Sequence, residues 1–111
     1  ILNSQVVNSK SIISFLDCDR IDTTNLKLIK EQLNPIIMDF NNSSSEESIL
    51  DFNNIYFIDS SGLALIINIY KKLNQNNKKL IIINANEMIS EIFDVTKLNT
   101  FIQISSIKKD L

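Results

Sequence analysis

The chain has 111 residues, a formal net charge of −2, one cysteine, one glycine, one proline and no histidine. These counts exclude much chemistry: Ser-His-Asp and Cys-His catalysis and His-ligated zinc all need an imidazole, and nucleotide-binding fingerprints need several glycines at fixed spacing. The length suits one domain, expected over residues 1–111, and lysines scattered at Lys71-Lys72, Lys78-Lys79 and Lys108-Lys109 on a net acidic chain do not make the basic footprint of a nucleic-acid binder.

Cys18 stands alone, so no internal disulfide can form, in keeping with a reducing compartment. No apolar run approaches bilayer length and nothing reads as a signal peptide, so the expectation is a cytoplasmic protein without membrane insertion. A carboxylate-pair enzyme is formally open, but no pair of acidic residues is singled out for that role.

Residues 2–7 and 11–17 are β-branched and apolar around the polar break Asn8-Ser9-Lys10, which predicts two strands joined by a short turn. Ile13 and Phe15 share one face, and Ile12, Ser14 and Leu16 the other. Asp22-Thr23-Thr24 reads as a helix start, followed at helical spacing by Leu26, Ile29, Lys30 and Leu33. Pro35 marks an end or a bend. Ile36-Ile37-Met38 and Phe40 predict one further turn packed on the core, and Asn41 to Glu47 a Ser-rich loop, the most mobile segment expected.

Residues 48–52 predict a buried strand, and Ile55 to Ile58 continue apolar up to Asp59. A helix is predicted from about Ser61 to Asn74. Leu80 to Ile83 predict a strand covered on both faces. Glu87 to Asp94 predict a helix with Met88, Ile89, Ile92 and Phe93 apolar, and Phe101 to Ile104 a last strand. Strands alternate with helices after the opening hairpin. The class is therefore α/β, a small mixed, partly parallel sheet of four to five strands packed with three to four helices.

The informative stretch is Ile58-Asp59-Ser60-Ser61-Gly62-Leu63. A strand ends and Asp-Ser-Ser-Gly leads into a helix, so one reading is an ordinary N-terminal cap. Gly62, lacking a side chain, would let that turn approach another backbone closely. The other reading rests on location. Sites of open α/β sheets gather beyond the carboxyl ends of strands, and a helix N-terminus favours anions. A phosphate on Ser61, its hydroxyl expected at the surface, would add about −1.5 to −2 charge beside Asp59. That suits a binding switch better than a fold switch. In the following helix Gly62, Ile66, Ile69, Tyr70 and Leu73 form the buried stripe. Leu63, Ala64 and Ile67 fall partly outside it, which leaves two possibilities: a helix buried nearly all round, or an apolar patch beside Ser61.

Leu50-Asp51-Phe52-Asn53-Asn54-Ile55-Tyr56-Phe57-Ile58-Asp59-Ser60-Ser61-Gly62-Leu63 resembles the signature of the STAS family, nearest to its anti-sigma factor antagonists, roughly LDL-x-x-V-x-F-x-DSSGL. Phe15 to Asp22 resembles the second strand and acidic turn of that family, with Asp22 on the acidic position. Tyr70 to Leu73, Leu80 to Asn84 and Ile92 to Leu98 resemble later segments, so the likeness covers nearly the whole chain. The resemblance implies the STAS fold, no enzymatic activity, and Ser61 as phosphoacceptor. It places Asp22, Asp59, Ser60, Gly62, Leu63 and Ile67 around the switch and its partner surface. It implies an anti-sigma factor serine kinase as partner, bound by the unphosphorylated form so that a sigma factor is released. A serine phosphatase of the partner-switching type resets it. ATP and Mg²⁺ come with the kinase, so no cofactor or metal is expected in this chain.

The chain departs from the family at its glycines. Asp19 stands before the acidic turn, Asn76-Asn77 between helix and next strand, Ala64 in the motif helix and Lys97 before Leu98. The C-terminal helix of many relatives is short or absent here, with only Ile107 to Leu111 remaining. Two other classes compete with the switch: a scaffold or regulatory STAS domain of a stress-sensing or transporter complex without its own phosphoswitch, and an enzyme or nucleotide hydrolase, against which the missing histidine and glycine-rich loops argue.

Overall fold

A computed structural model of the chain describes residues 1–106; the segment Ile107 to Leu111 lies outside the described residues. Strands β1 (Leu2–Val7) and β2 (Lys10–Phe15) form an antiparallel hairpin. Its two-residue turn puts Asn8 and Ser9 at φ 51° and 64°, the left-handed pair that matches the twist of the flanking strands. β3 (Arg20–Ile21) is short and leads into helix α1 (Leu26–Asn41); β4 (Glu47–Asp51), β5 (Phe57–Ile58) and helix α2 (Ser60–Asn74) follow. β6 (Lys79–Ala85), helix α3 (Glu87–Val95), a 3-10 turn (Leu98–Thr100) and β7 (Gln103–Ser106) complete the order.

The main sheet runs β1-β2-β4-β6-β7, antiparallel only at β1. β3 and β5 pair in parallel as a separate two-stranded sheet. The α/β class and mixed five-stranded sheet are as expected. The core gathers Ile13 and Phe15 with Leu50, Phe52, Ile66, Leu73, Ile82 and Phe93. Phe15 meets Phe52 edge-on, with ring centroids 5.7 Å apart. Leu80, Ile81 and Ile82 are buried in succession, as a strand covered on both faces requires.

Several expectations are corrected. β2 stops at Phe15, and Leu16 is exposed. Helix α1 begins at Leu26 after Asn25, not at Asp22-Thr23-Thr24, which form a turn of their own. Of the end or bend expected at Pro35, the end does not occur, and α1 runs on to Asn41. Proline cannot donate to the carbonyl of Glu31, but Glu31 is exposed, so water can serve that carbonyl instead. Met38 is 65% exposed and does not belong to the core, and the last strand starts at Gln103 rather than Phe101. The loop after α1 is tied down: Lys78 Nζ donates to the carbonyls of Phe40, Ser43 and Ser45 at 2.9, 2.8 and 2.6 Å.

Two of the missing glycines matter for the backbone. Asn77 and Lys97 both adopt left-handed conformations, with φ of 58° and 64°. Asparagine tolerates that region; lysine does so at a cost. Lys97 follows the C-cap of α3, and its N–H donates to the Asp94 carbonyl. Lys97→Gly should therefore stabilise the protein by up to about 1 kcal/mol. Urea unfolding should show a higher midpoint at unchanged slope.

Candidate functional site

The site forms where two chain crossings meet. β5 ends at Ile58, and Asp59 turns the chain into α2. Alongside, β3 ends at Ile21 and Asp22 opens the turn toward α1. The β3–β5 ladder holds these two exits side by side, continued by the Asp59 N–H donating to the Ile21 carbonyl at 3.3 Å.

Asp59 is the centre of the local hydrogen bonding. Its Oδ1 accepts the Ser61 hydroxyl at 2.6 Å and the Gly62 N–H at 2.9 Å. Its Oδ2 accepts the Thr23 N–H from the neighbouring turn at 3.3 Å. Asp59 is thus the N-cap of α2, extended in backbone and acceptor in side chain. The Ser61 hydroxyl and then the Gly62 and Thr23 amides hold its carboxyl below the usual carboxylate range. The two readings of Asp-Ser-Ser-Gly divide between residues: Asp59 caps, and Ser61 donates to the cap. Ser61 is half-buried rather than fully at the surface, because its hydroxyl is engaged with Asp59. Ser60, the first helical residue, is exposed.

A folded-state pKa below the unfolded value stabilises the fold above the unfolded pKa, near 4, and that contribution is lost as pH falls through the folded pKa. Asn also caps well but carries no charge. Asp59→Asn should therefore unfold at lower urea than wild type at neutral pH. The gap should close progressively below about pH 4. An unchanged gap across that range would mean that the carboxylate charge contributes nothing.

Gly62 is buried against the same junction. A side chain there would collide with the Ile21 carbonyl oxygen and lie 2.7 Å from Ile58 Cγ1. Asp22 is buried, and its Oδ1 accepts the Thr24 N–H at 3.0 Å and the Thr24 hydroxyl. Of the α2 residues beyond, Leu63 is half-buried against the core, Ala64 is exposed and Ile67 half-buried. The patch is therefore small, because Leu63 turns inward. Asp22, Asp59, Ser60, Ser61 and Gly62 come together at one junction, and Leu63 and Ile67 lead away along α2.

Sequence reasoning missed Thr23 and Asn25. Asn25 Oδ1 accepts the Asp22 N–H, and its Nδ2 donates to the Arg20 carbonyl at 2.7 Å. Four successive polar residues from Asp22 to Asn25 were a turn signal in their own right. Arg20 and Tyr56 were missed too: Arg20 Nη2 donates to the Tyr56 hydroxyl at 2.7 Å, while Arg20 Nε meets Asp19 Oδ1 at 3.0 Å. Asp19, where the resemblance leads one to expect glycine, thus brings a surface charge that Arg20 partly offsets. Cys18 is buried, which raises its thiol pKa, and it donates to the Arg20 carbonyl, a structural position. Among the described residues no group of three or more acidic or cysteine side chains is placed to hold a metal ion, and no helix is long and apolar enough to cross a membrane.

Residues 16–110 match the family model of the STAS domain. This chain belongs to the STAS domain family. The STAS domain here is 28% identical over 74 residues to the anti-sigma-B factor antagonist of Staphylococcus epidermidis, covering 67% of this chain and 68% of the relative. Its fold is that of an anti-sigma-factor antagonist (STAS) domain protein from Planctomyces limnophilus, with TM-score 0.78 at 16% identity over 96% of this chain and 91% of that one. The anti-sigma factor antagonist SpoIIAA, solved in an unphosphorylated and, from Bacillus, in a phosphorylated form, superposes with TM-scores of 0.71 and 0.67. Identity is 17% in both, over 96% of this chain and 89% and 92% of those chains.

Proposed function

We propose that this STAS domain is an anti-sigma factor antagonist controlled by phosphorylation of Ser61. In this reading the unphosphorylated form binds an anti-sigma factor serine kinase and so releases a sigma factor. The observation that carries the proposal is the division of labour at the head of α2. Asp59 caps the helix through Gly62, so the Ser61 hydroxyl can be esterified without removing the cap. The similarity to anti-sigma factor antagonists supports the same reading.

The kinase supplies ATP and Mg²⁺. The Ser61 oxygen attacks the γ-phosphorus, the bond to the ADP oxygen breaks, and the hydroxyl proton passes to a base of the kinase. Asp59, ionised and held low by its donors, orients the hydroxyl and is a weak base itself. Once esterified, Ser61 has no proton to give Asp59, and a phosphate of about −1.5 to −2 charge stands beside a carboxylate. Repulsion turns the phosphate outward, into the face that the partner contacts at Ser60 and Ile67, with the buried Asp22 and the inward-turned Leu63 behind it. A serine phosphatase reverses the step: water attacks the phosphorus and frees the hydroxyl and inorganic phosphate.

The test is intact-mass and fragment mapping after incubation with ATP, Mg²⁺ and the candidate anti-sigma kinase encoded nearby. The expected result is one phosphate, on Ser61. No phosphate from a kinase proven active on another substrate would overturn the switch and favour a scaffold role.

A further inference from the structure

Asp22 to Asn25 build a closed turn beside the Ser61 site. The Asn25 N–H returns to the Asp22 carbonyl at 3.2 Å, with Thr23 and Thr24 at the corner. Asn25 Oδ1 accepts the Asp22 N–H at 3.1 Å, and Asp22 Oδ1 accepts the Thr24 N–H at 3.0 Å. Three of the four amides of the turn are therefore bonded within it. The fourth, that of Thr23, leaves the turn and reaches Asp59 Oδ2 at 3.3 Å, 36 residues away along the chain. Asn25 aims it. Its Nδ2 donates to the Arg20 carbonyl at 2.7 Å while its Oδ1 holds the Asp22 N–H. One side chain thus clasps the backbone on both sides of Ile21 and fixes the direction in which β3 enters the turn.

The Thr23 bond is long, and its weight lies in where it acts. Asp59 Oδ1 already takes the Ser61 hydroxyl at 2.6 Å and the Gly62 N–H at 2.9 Å. The torsion that turns a carboxylate is soft, and either oxygen can serve the Gly62 amide. A donor on Oδ2 holds the plane of the carboxylate. It thereby holds the direction in which Oδ1 meets the hydroxyl.

We infer that the Asp22–Asn25 turn positions the Ser61 hydroxyl: its Thr23 N–H pins the Asp59 carboxylate, and Asn25 fixes the turn for that task. Thr23 and Asn25 are positioning residues, and both act through Asp59. The functional weight of this inference rests on the reading of Ser61 as phosphoacceptor, because a kinase must meet that hydroxyl in a definite direction. The group at work in Thr23 is its backbone amide; its side chain is exposed. Thr23→Ala keeps that amide. Thr23→Pro removes it, at the corner of a turn where proline is well suited.

NMR couplings between the α and β protons of Ser61 read its side-chain rotamer and test the inference without a kinase. Wild type and Thr23→Ala should show one rotamer; Thr23→Pro and Asn25→Ala should lose it to averaging. Leu26→Ala disturbs the start of α1, where Leu26 packs against the core, but lies outside the turn, and should keep the wild-type couplings. With the candidate anti-sigma kinase, phosphorylation of Ser61 should be slower by about tenfold in Thr23→Pro than in Thr23→Ala. Unchanged couplings in Thr23→Pro, averaging in wild type, Thr23→Ala or Leu26→Ala, or equal phosphorylation of the two Thr23 variants would overturn the inference. Should Thr23→Pro fail to fold, Asn25→Ala, which keeps every amide of the turn, decides by the same couplings. No phosphate on Ser61 in any variant would instead overturn the proposed switch, and the couplings would still decide whether the turn positions the hydroxyl.

Discussion

Gly62→Ala is expected to destabilise this STAS domain by about 2 kcal/mol, lowering the Tm by on the order of 10 °C. Two effects oppose each other. Alanine is the better helix former by about 1 kcal/mol, so on propensity the substitution in α2 should help. The added methyl, however, meets the Ile21 carbonyl oxygen, Ile58 Cγ1 at 2.7 Å and Ile21 Cγ2 at 3.0 Å. Overpacking typically costs about 1–3 kcal/mol when side chains can yield. Here the nearest atom is backbone, so the head of α2 must move as a unit. That movement strains the Asp59–Ile21 and Thr23–Asp59 hydrogen bonds joining the two exits of the β3–β5 pair. The clash term wins. A thermal melt showing a raised Tm would mean that the close approach is absent.

The second large effect is on binding. Ser61→Asp should weaken the anti-sigma kinase complex by about tenfold to a hundredfold while leaving the fold intact. The substitution removes the hydroxyl that donates to Asp59 and puts a second carboxylate in its place, leaving Asp59 the Gly62 and Thr23 amides. Asp59 keeps the Gly62 amide, so α2 retains its cap. Ser61→Ala is the companion: it removes a hydroxyl but no cap interaction of the helix amides. It should cost under about 1 kcal/mol of stability, bind the partner and take no phosphate. Titration calorimetry against the kinase separates the cases. Equal affinity of Ser61→Asp and wild type would place the contact elsewhere, and unfolding of Ser61→Ala would mean that the serine is structural after all.

Much of the fold was legible because periodicity reports burial directly. The alternation of Ile13 and Phe15 against Ile12 and Ser14, the run from Leu80 to Ile83 and the helical spacing from Gly62 to Leu73 each depend on one face meeting a core. The structure buries those faces. Errors clustered where local chemistry admits two outcomes. Asp22-Thr23-Thr24 can cap a helix or build a turn, and Asn25 decides for the turn by bracketing Asp22 and Arg20. Pro35 can end a helix or sit within one, and the exposure of Glu31 permits the second. Met38 has the hydrophobicity of a core residue but falls on the outer face of α1.

At the site, residue types along Ile58 to Leu63 determined the strand–cap–helix junction, and the resemblance to the STAS signature singled out Ser61 within it. What they could not assign was which of Asp59, Ser60 and Ser61 holds the amides, since all three can. Only the tertiary structure decided that, through contacts distant in sequence. The β3–β5 pair brings Ile21 and Thr23 against Asp59 and Gly62, filling the second carboxylate oxygen of Asp59 and the space beside Gly62. With Asp59 committed to the cap and to the neighbouring turn, the Ser61 hydroxyl can change without unwinding the helix.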